Sequence, residues 1–118
     1  MPRLRFSTPD AEIIVTTTDN PTTQDLLAQL PLTLTFEDFA GKEKISTLPE
    51  RLTTQGSQGS ATRDGALIYY VPWGNIGFVY RADGKHDDDV ITLGSIESGM
   101  DQMELLEQNP VHVDLHNP

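Results

Sequence analysis

The sequence predicts a mostly β protein, a single all-β sandwich or barrel, on three observations. β-Branched and aromatic residues come in short runs, and turn-forming residues separate the runs at intervals of about ten positions. The 118 residues fall within the range of one domain, with an expected radius of gyration of ~13 Å. A chain of this size buries roughly two-thirds of its unfolded surface, so its 36% apolar residues can fill one core without staples. Residues 1–118 are read as one domain without linker or internal repeat.

The elements follow in order. Strands are expected at Leu4–Phe6 and Glu12–Thr17, after which Asp19-Asn20-Pro21 turns the chain. Asn20 followed by Pro21, or Thr22 with Asp25 three residues on, caps a helix over Thr22–Gln29 with Leu26, Leu27 and Leu30 as its apolar face. Pro31 stops it. Leu32–Glu37 alternates cleanly, with Leu32, Leu34 and Phe36 on one face and Thr33, Thr35 and Glu37 on the other, and is the clearest strand. Gln55–Gly65 is polar, rich in glycine and without period, as a surface loop would be. Ala66–Val71 and Ile76–Tyr80 are two strongly β runs joined by Pro72-Trp73-Gly74-Asn75, a hairpin at the centre of the fold. Asp83–Asp89 reads as a second polar loop and Val90–Leu93 as a further strand. Gly99 opens a second helix, Met100–Gln108, with Met100, Met103, Leu105 and Leu106 on its apolar side. Val111, Val113 and Leu115 then alternate with His112, Asp114 and His116 in a final edge strand.

Charge and composition exclude several classes. Eight Lys and Arg against eighteen Asp and Glu give a net charge of −10, which opposes binding to nucleic acid or to an anionic membrane. Without cysteine there is no thiol nucleophile, disulfide or thiolate metal site. The amino terminus lacks the apolar stretch of a signal peptide and no segment approaches the ~20 apolar residues of a membrane helix; a cytoplasmic location is expected. Glycines 56 and 59 lack the lysine and the strand-to-helix setting of a phosphate loop.

Candidate sites divide into weak and stronger ones. Asp87-Asp88-Asp89 offers hard oxygens, but it lacks the spaced ligands and glycine turn of a calcium loop and reads as a solvated acidic loop. His112 and His116 on a strand stand ~13 Å apart, too far for one ion. No metal and no cofactor are expected. Glu43 and Lys44, beside Gly41, are either polar wall residues of a groove or an exposed ion pair. Tyr69, Tyr70, Trp73 and Tyr80 cluster with Asn75 and Arg81 around the central hairpin. Alternation puts Tyr69 and Tyr70 on opposite faces, one to the core and one to a groove. Aromatic anchors beside an arginine have the composition of a binding hot spot; the alternative is that they fill the barrel. His86, with an imidazole near its free pKa, is either a groove donor or a loop residue.

Three stretches carry a resemblance. Asp83-Gly84-Lys85-His86, Val90 to Gly94, Ile96 and Gly99-Met100 follow the order of an Asp-Gly-Lys-His-Val-Val-Phe-Gly and Gly-Met segment, with Asp87-Asp88-Asp89 as an insertion. Leu48-Pro49, Leu52 and Gln55-Gly56 follow an Arg-Ile-Ile-Pro-x-Phe-Met-x-Gln-Gly pattern. Gly65-Ala66-Leu67 to Asn75 and Ile76 to Tyr80 occupy the place of two central strands. These stretches resemble cyclophilins, the peptidyl-prolyl isomerases. The whole chain, through Asp19-Asn20-Pro21-Thr22, Leu30 to Phe39, Lys44-Ile45, Tyr70 to Asn75 and Leu93 to Ile96, is more similar to a small microbial group of cyclophilin-like proteins.

The resemblance implies a closed, antiparallel, eight-stranded barrel capped by two short helices. It also implies a damaged isomerase site. The family's catalytic Arg falls at Ser46 or Thr47, its pocket Phe at Leu52 and its Trp at Arg81, while Gln55 and His86 are retained. Neither Ser nor Thr supplies the charged fork that polarises an amide, although Arg51 or Arg81 could enter the pocket from a new direction. The expected function is therefore a non-catalytic module binding a small polar ligand or an extended peptide through Gln55, Tyr70, Trp73, Asn75, Arg81 and His86. The alternative is a weak or altered prolyl isomerase.

Overall fold

The computed structural model describes residues 2–116. The strands are β1 (Arg3–Ser7), β2 (Glu12–Thr17), β3 (Leu32–Leu34), β4 (Glu37–Phe39), β5 (Glu43–Thr47), β6 (Ser60–Ala61), β7 (Ala66–Tyr70), β8 (Asn75–Val79), β9 (His86–Asp87), β10 (Val90–Ser98) and β11 (Val111–Leu115). An α-helix, α1 (Pro21–Ala28), and a 3-10 helix over Met100–Glu107 complete the fold, and a short 3-10 turn, Val71–Trp73, joins β7 to β8.

Nine of the strands form one sheet in the order β3-β11-β1-β2-β10-β7-β8-β5-β4, and β6 pairs with β9 in a small separate sheet. Every pairing is antiparallel. Alternation along the central strands separates two apolar faces. Leu67, Tyr69, Ile76 and Phe78 point into the main core with Leu4, Phe6, Ile13, Val15 and the helix residues Leu26, Met103 and Leu106. Ala66, Ile68, Val79 and Val90 form a smaller cluster on the other face.

The closed eight-stranded barrel is corrected by this topology, since the sheet is a curled half-barrel, nine-stranded and open, whose edges β3 and β4 do not pair. The difference arises in Leu32–Glu37. Its alternation is present, with Leu34 and Phe36 buried and Thr33, Thr35 and Glu37 exposed. Yet Leu32–Leu34 pairs with β11 and Glu37–Phe39 pairs with β5, so Thr35 and Phe36 carry the chain from one sheet edge to the other. Period reports which face a residue takes, not which strand lies beside it.

Three further expectations change. The final strand, β11, is not an edge, because β1 and β3 flank it. The two polar loops are not independent, because Ser60 and Ala61 pair with Asp87 and His86. A Cβ at Gly59 would lie 2.5 Å from Asp88 Cα, so only glycine allows this approach. β5 carried no strand signal because its core-facing positions are Lys44 and Ser46.

Local chemistry accounts for the elements that were legible. Asn20 caps α1 by accepting from Thr23 N–H at 2.8 Å, while Asp25 instead accepts from Thr53 N–H at 2.7 Å and ties the following loop to the helix. Val90–Leu93 extends to Ser98 as β10, whose pairing with β7 shifts register between Thr92 and Gly94. A Cβ at Gly94 would lie 2.5 Å from Thr16 O, a close approach that requires glycine there.

Candidate functional site

The two sides of the β7–β8 hairpin divide the tyrosines. Tyr69 is buried in the main core, where its hydroxyl accepts from Leu52 N–H at 3.0 Å. Tyr70 pairs across the hairpin with Asn75 and faces the opposite side. Trp73 projects from the turn above them and is 51% exposed. Its indole is held edge-on between Tyr70, at 5.2 Å between ring centroids, and Phe39, at 5.3 Å. Such contacts fix an exposed aromatic in one orientation.

The turn is braced from outside. Arg51 donates from Nη1 to Val71 O at 3.0 Å and from Nη2 to Pro72 O at 3.3 Å. Its guanidinium is thus engaged by backbone carbonyls at the hairpin tip, outside the groove described next. Of the two arginines considered for a relocated isomerase role, only Arg81 lines that groove.

Trp73, Tyr70 and Phe39 form one wall of a half-open groove of ≈ 540 Å³. Ile45, Ile68, Val79 and Val90 line it with apolar surface, and Thr62, Asp83, Lys85, His86 and Asp87 bound it on the side of the paired loops. At one end the Tyr80 and Arg81 N–H groups both donate to Lys42 O, at 2.9 and 3.1 Å, which brings Lys42 and Arg81 together. His86 Nε2 lies 2.8 Å from Asp88 Oδ1, an exposed pair that holds the ring at the rim.

Of the six expected site residues, Tyr70, Trp73, Asn75, Arg81 and His86 line this groove and Gln55 does not. Gln55 is exposed in a turn on the α1 side, where Ser57 Oγ accepts from Thr22 N–H at 3.1 Å. Leu52 is also outside the groove, buried in the core. The positions aligned with the family's arginine diverge: Ser46 is 3% exposed on the core face, and Thr47 is exposed opposite Asn75.

The paired reading of Glu43 and Lys44 is corrected. They are adjacent on β5 and so point to opposite faces. Lys44 is only 6% exposed and pairs with Asp38 at 3.2 Å and Glu107 at 3.5 Å, while its ammonium lies 5.3 Å from the Tyr80 ring centroid. Burial opposes the Lys44 charge, but Asp38 and Glu107 outweigh it and raise its pKa. Tyr80 donates its hydroxyl to Asp38, and this bond is the main reason that Asp38 titrates below the usual carboxylate range.

Glu43 instead lines the groove. A Cβ at Gly77 would lie 2.7 Å from Glu43 Oε1, so the carboxylate occupies the space that a side chain at 77 would take. Burial raises its pKa, against the opposing charge of Lys42. Sequence reasoning missed Phe39 and Lys42, which come from strand and turn residues whose neighbours are set by the edge crossing at Thr35-Phe36. Nothing in their local pattern could have found them.

The model of the cyclophilin-like family matches residues 6–116. Among solved structures, the chain is similar to the solution structure of a hypothetical protein from Archaeoglobus fulgidus, with a TM-score of 0.67 and 19% identity, over 98% of this chain and 94% of that one. At that identity the likeness is one of fold. No curated protein matches the chain.

Proposed function

We propose that this chain, which belongs to the cyclophilin-like family, is a non-catalytic binding module whose groove takes a small polar ligand or an extended peptide. The observation that carries the reading is convergence: Tyr70, Trp73, Asn75 and Arg81 of the central hairpin, His86 of the following loop, and Phe39, Lys42 and Glu43 of the β4–β5 segment line one groove. The volume suits a ligand site, with apolar walls and a few polar groups to orient the occupant. A half-exposed Trp braced by two other aromatics provides contact area that loses little side-chain entropy on binding. The net charge of −10 makes a nucleic-acid ligand unfavourable.

The second reading, a weak or altered peptidyl-prolyl isomerase, rests on Arg81, the arginine that lines the groove. It lacks a cation at Ser46 or Thr47, and losing one transition-state charge contact typically costs a factor of ~10² or more in rate. Exchange spectroscopy on a short X-Pro peptide, together with Trp73 fluorescence, separates the two readings. The binding module predicts a fluorescence change on ligand addition with cis–trans exchange at its spontaneous rate. Acceleration abolished by Arg81→Ala would put the isomerase first.

A further inference from the structure

We propose that the groove's occupant is an extended peptide that inserts a lysine or arginine side chain, with its cationic head paired to Glu43. The proposal rests on the groove being the binding site. Glu43 carries the first part of the argument. Its carboxylate is half-buried against Gly77 and Ile45 and has no hydrogen-bond or ion-pair partner among the described residues. Partial burial leaves this carboxylate less well hydrated than a free one, although its oxygens still reach solvent, and that carries a small cost. A cation in the groove would remove that cost, whereas an anionic head at the same depth would meet repulsion.

The walls match the rest of such a side chain. Ile45, Ile68 and Val79 suit an aliphatic stem, which long cationic side chains lay along apolar surface. Trp73 and Tyr70 stand at the mouth, where aromatic faces attract ammonium and guanidinium groups. Gly77 lies two residues from Asn75 along β8, about 7 Å for extended backbone, comparable with the flexible four-carbon stem of lysine. The net charge of −10 steers cations toward the molecule, and of the three cations lining the groove, Lys42, Arg81 and Lys85, two are matched in charge by Asp83 and Asp87. Burial holds the Glu43 pKa above its usual value, and an inserted cation would lower it again.

The test titrates the ¹⁵N-labelled chain with three blocked peptides, Ac-Gly-Lys-Gly-NH₂, its acetyl-lysine counterpart and Ac-Gly-Glu-Gly-NH₂, following groove amides by NMR and Trp73 by fluorescence. The lysine peptide is expected to shift Gly77, Ile45 and Asn75 and to bind about tenfold or more tightly than the other two. Glu43→Gln should remove that preference, while Glu37→Gln, an equal change in net charge at exposed Glu37, should keep it. Glu43→Asp, which keeps the charge but withdraws it from Gly77, should weaken binding. If the acetylated or acidic peptide binds as well as the lysine peptide, or if Glu37→Gln weakens binding as much as Glu43→Gln, the inference is overturned and the groove reading stands. If no peptide shifts any groove amide, the inference is overturned, and a small-molecule fragment titration read at Trp73 then decides the groove reading separately.

Discussion

The two faces of β5 handle charge in opposite ways. On the core side, Lys44 is buried but meets Asp38 and Glu107, and Asp38 also receives the Tyr80 hydroxyl. On the groove side one residue away, Glu43 is half-buried and meets apolar surface and a glycine. A buried charge that finds its partners within the chain serves the fold, because removing one partner strands the others. A charge in an accessible groove with no hydrogen-bond partner, eased only by the more distant Lys42, costs the fold a little, and a bound cation would offset that cost. The contrast separates an internal clamp from the proposed recognition surface.

The sharpest way to break this comparison is to remove the clamp. Lys44→Ala should lower unfolding stability by about 2 kcal/mol, a fall in Tm of roughly 8 °C, with the Trp73 response to ligand unchanged. Chemical denaturation followed by circular dichroism measures it; an equal loss in Arg81→Ala would abolish the distinction. Acid should loosen the same clamp. Because the pKa of Asp38 is lowered in the folded state, its contribution is present above the ordinary carboxylate pKa and is lost as pH falls through the folded value.

A smaller effect is expected at the groove mouth. Trp73→Ala should cost about 1 kcal/mol, the low end for two edge contacts, with Phe39 and Tyr70, on a half-exposed ring, while weakening ligand binding as read by NMR. A large loss of stability with intact binding would mean that Trp73 is a packing residue.

The smallest effect has the opposite sign. Glu43 has a raised folded pKa, so its ionisation at neutral pH disfavours the fold, and protonation favours it as pH falls. Glu43→Gln should therefore stabilise the chain at pH 7 by less than ~1 kcal/mol, discounted for solvent screening. The gain should shrink toward zero once pH drops below the unfolded carboxylate pKa. Paired urea titrations of wild type and variant at pH 7 and pH 4 check this, and destabilisation at pH 7 would mean that the Glu43 carboxylate holds the fold together.

The aromatic hairpin was the part of the site most open to sequence reasoning. Strand propensity at Ala66–Val71 and Ile76–Tyr80 places Tyr70, Trp73 and Asn75 close together whatever the rest of the chain does, because the hairpin contact is local. Gln55 lies away from the groove for the complementary reason. Its position came from a motif in a loop, and loops are placed by what they pack on, here α1 through Thr53 and Ser57.

By itself the sequence determined the mostly β class, the extent of β2, the place and cap of α1, the alternation at Leu32–Glu37, and the opposite facing of Tyr69 and Tyr70. These depend on propensity, capping and the two-residue period, all set within a few residues of chain. Only the tertiary structure decided that one alternating segment serves both edges of an open sheet, that β5 is a strand despite inward Lys44 and Ser46, and that Glu43 and Lys44 part company. Those outcomes depend on distant partners: Asp38 and Glu107 make an inward lysine tolerable, and β11 and β5 divide Leu32–Phe39 between them. Energies of pairing across the fold are not written in the local pattern of either partner.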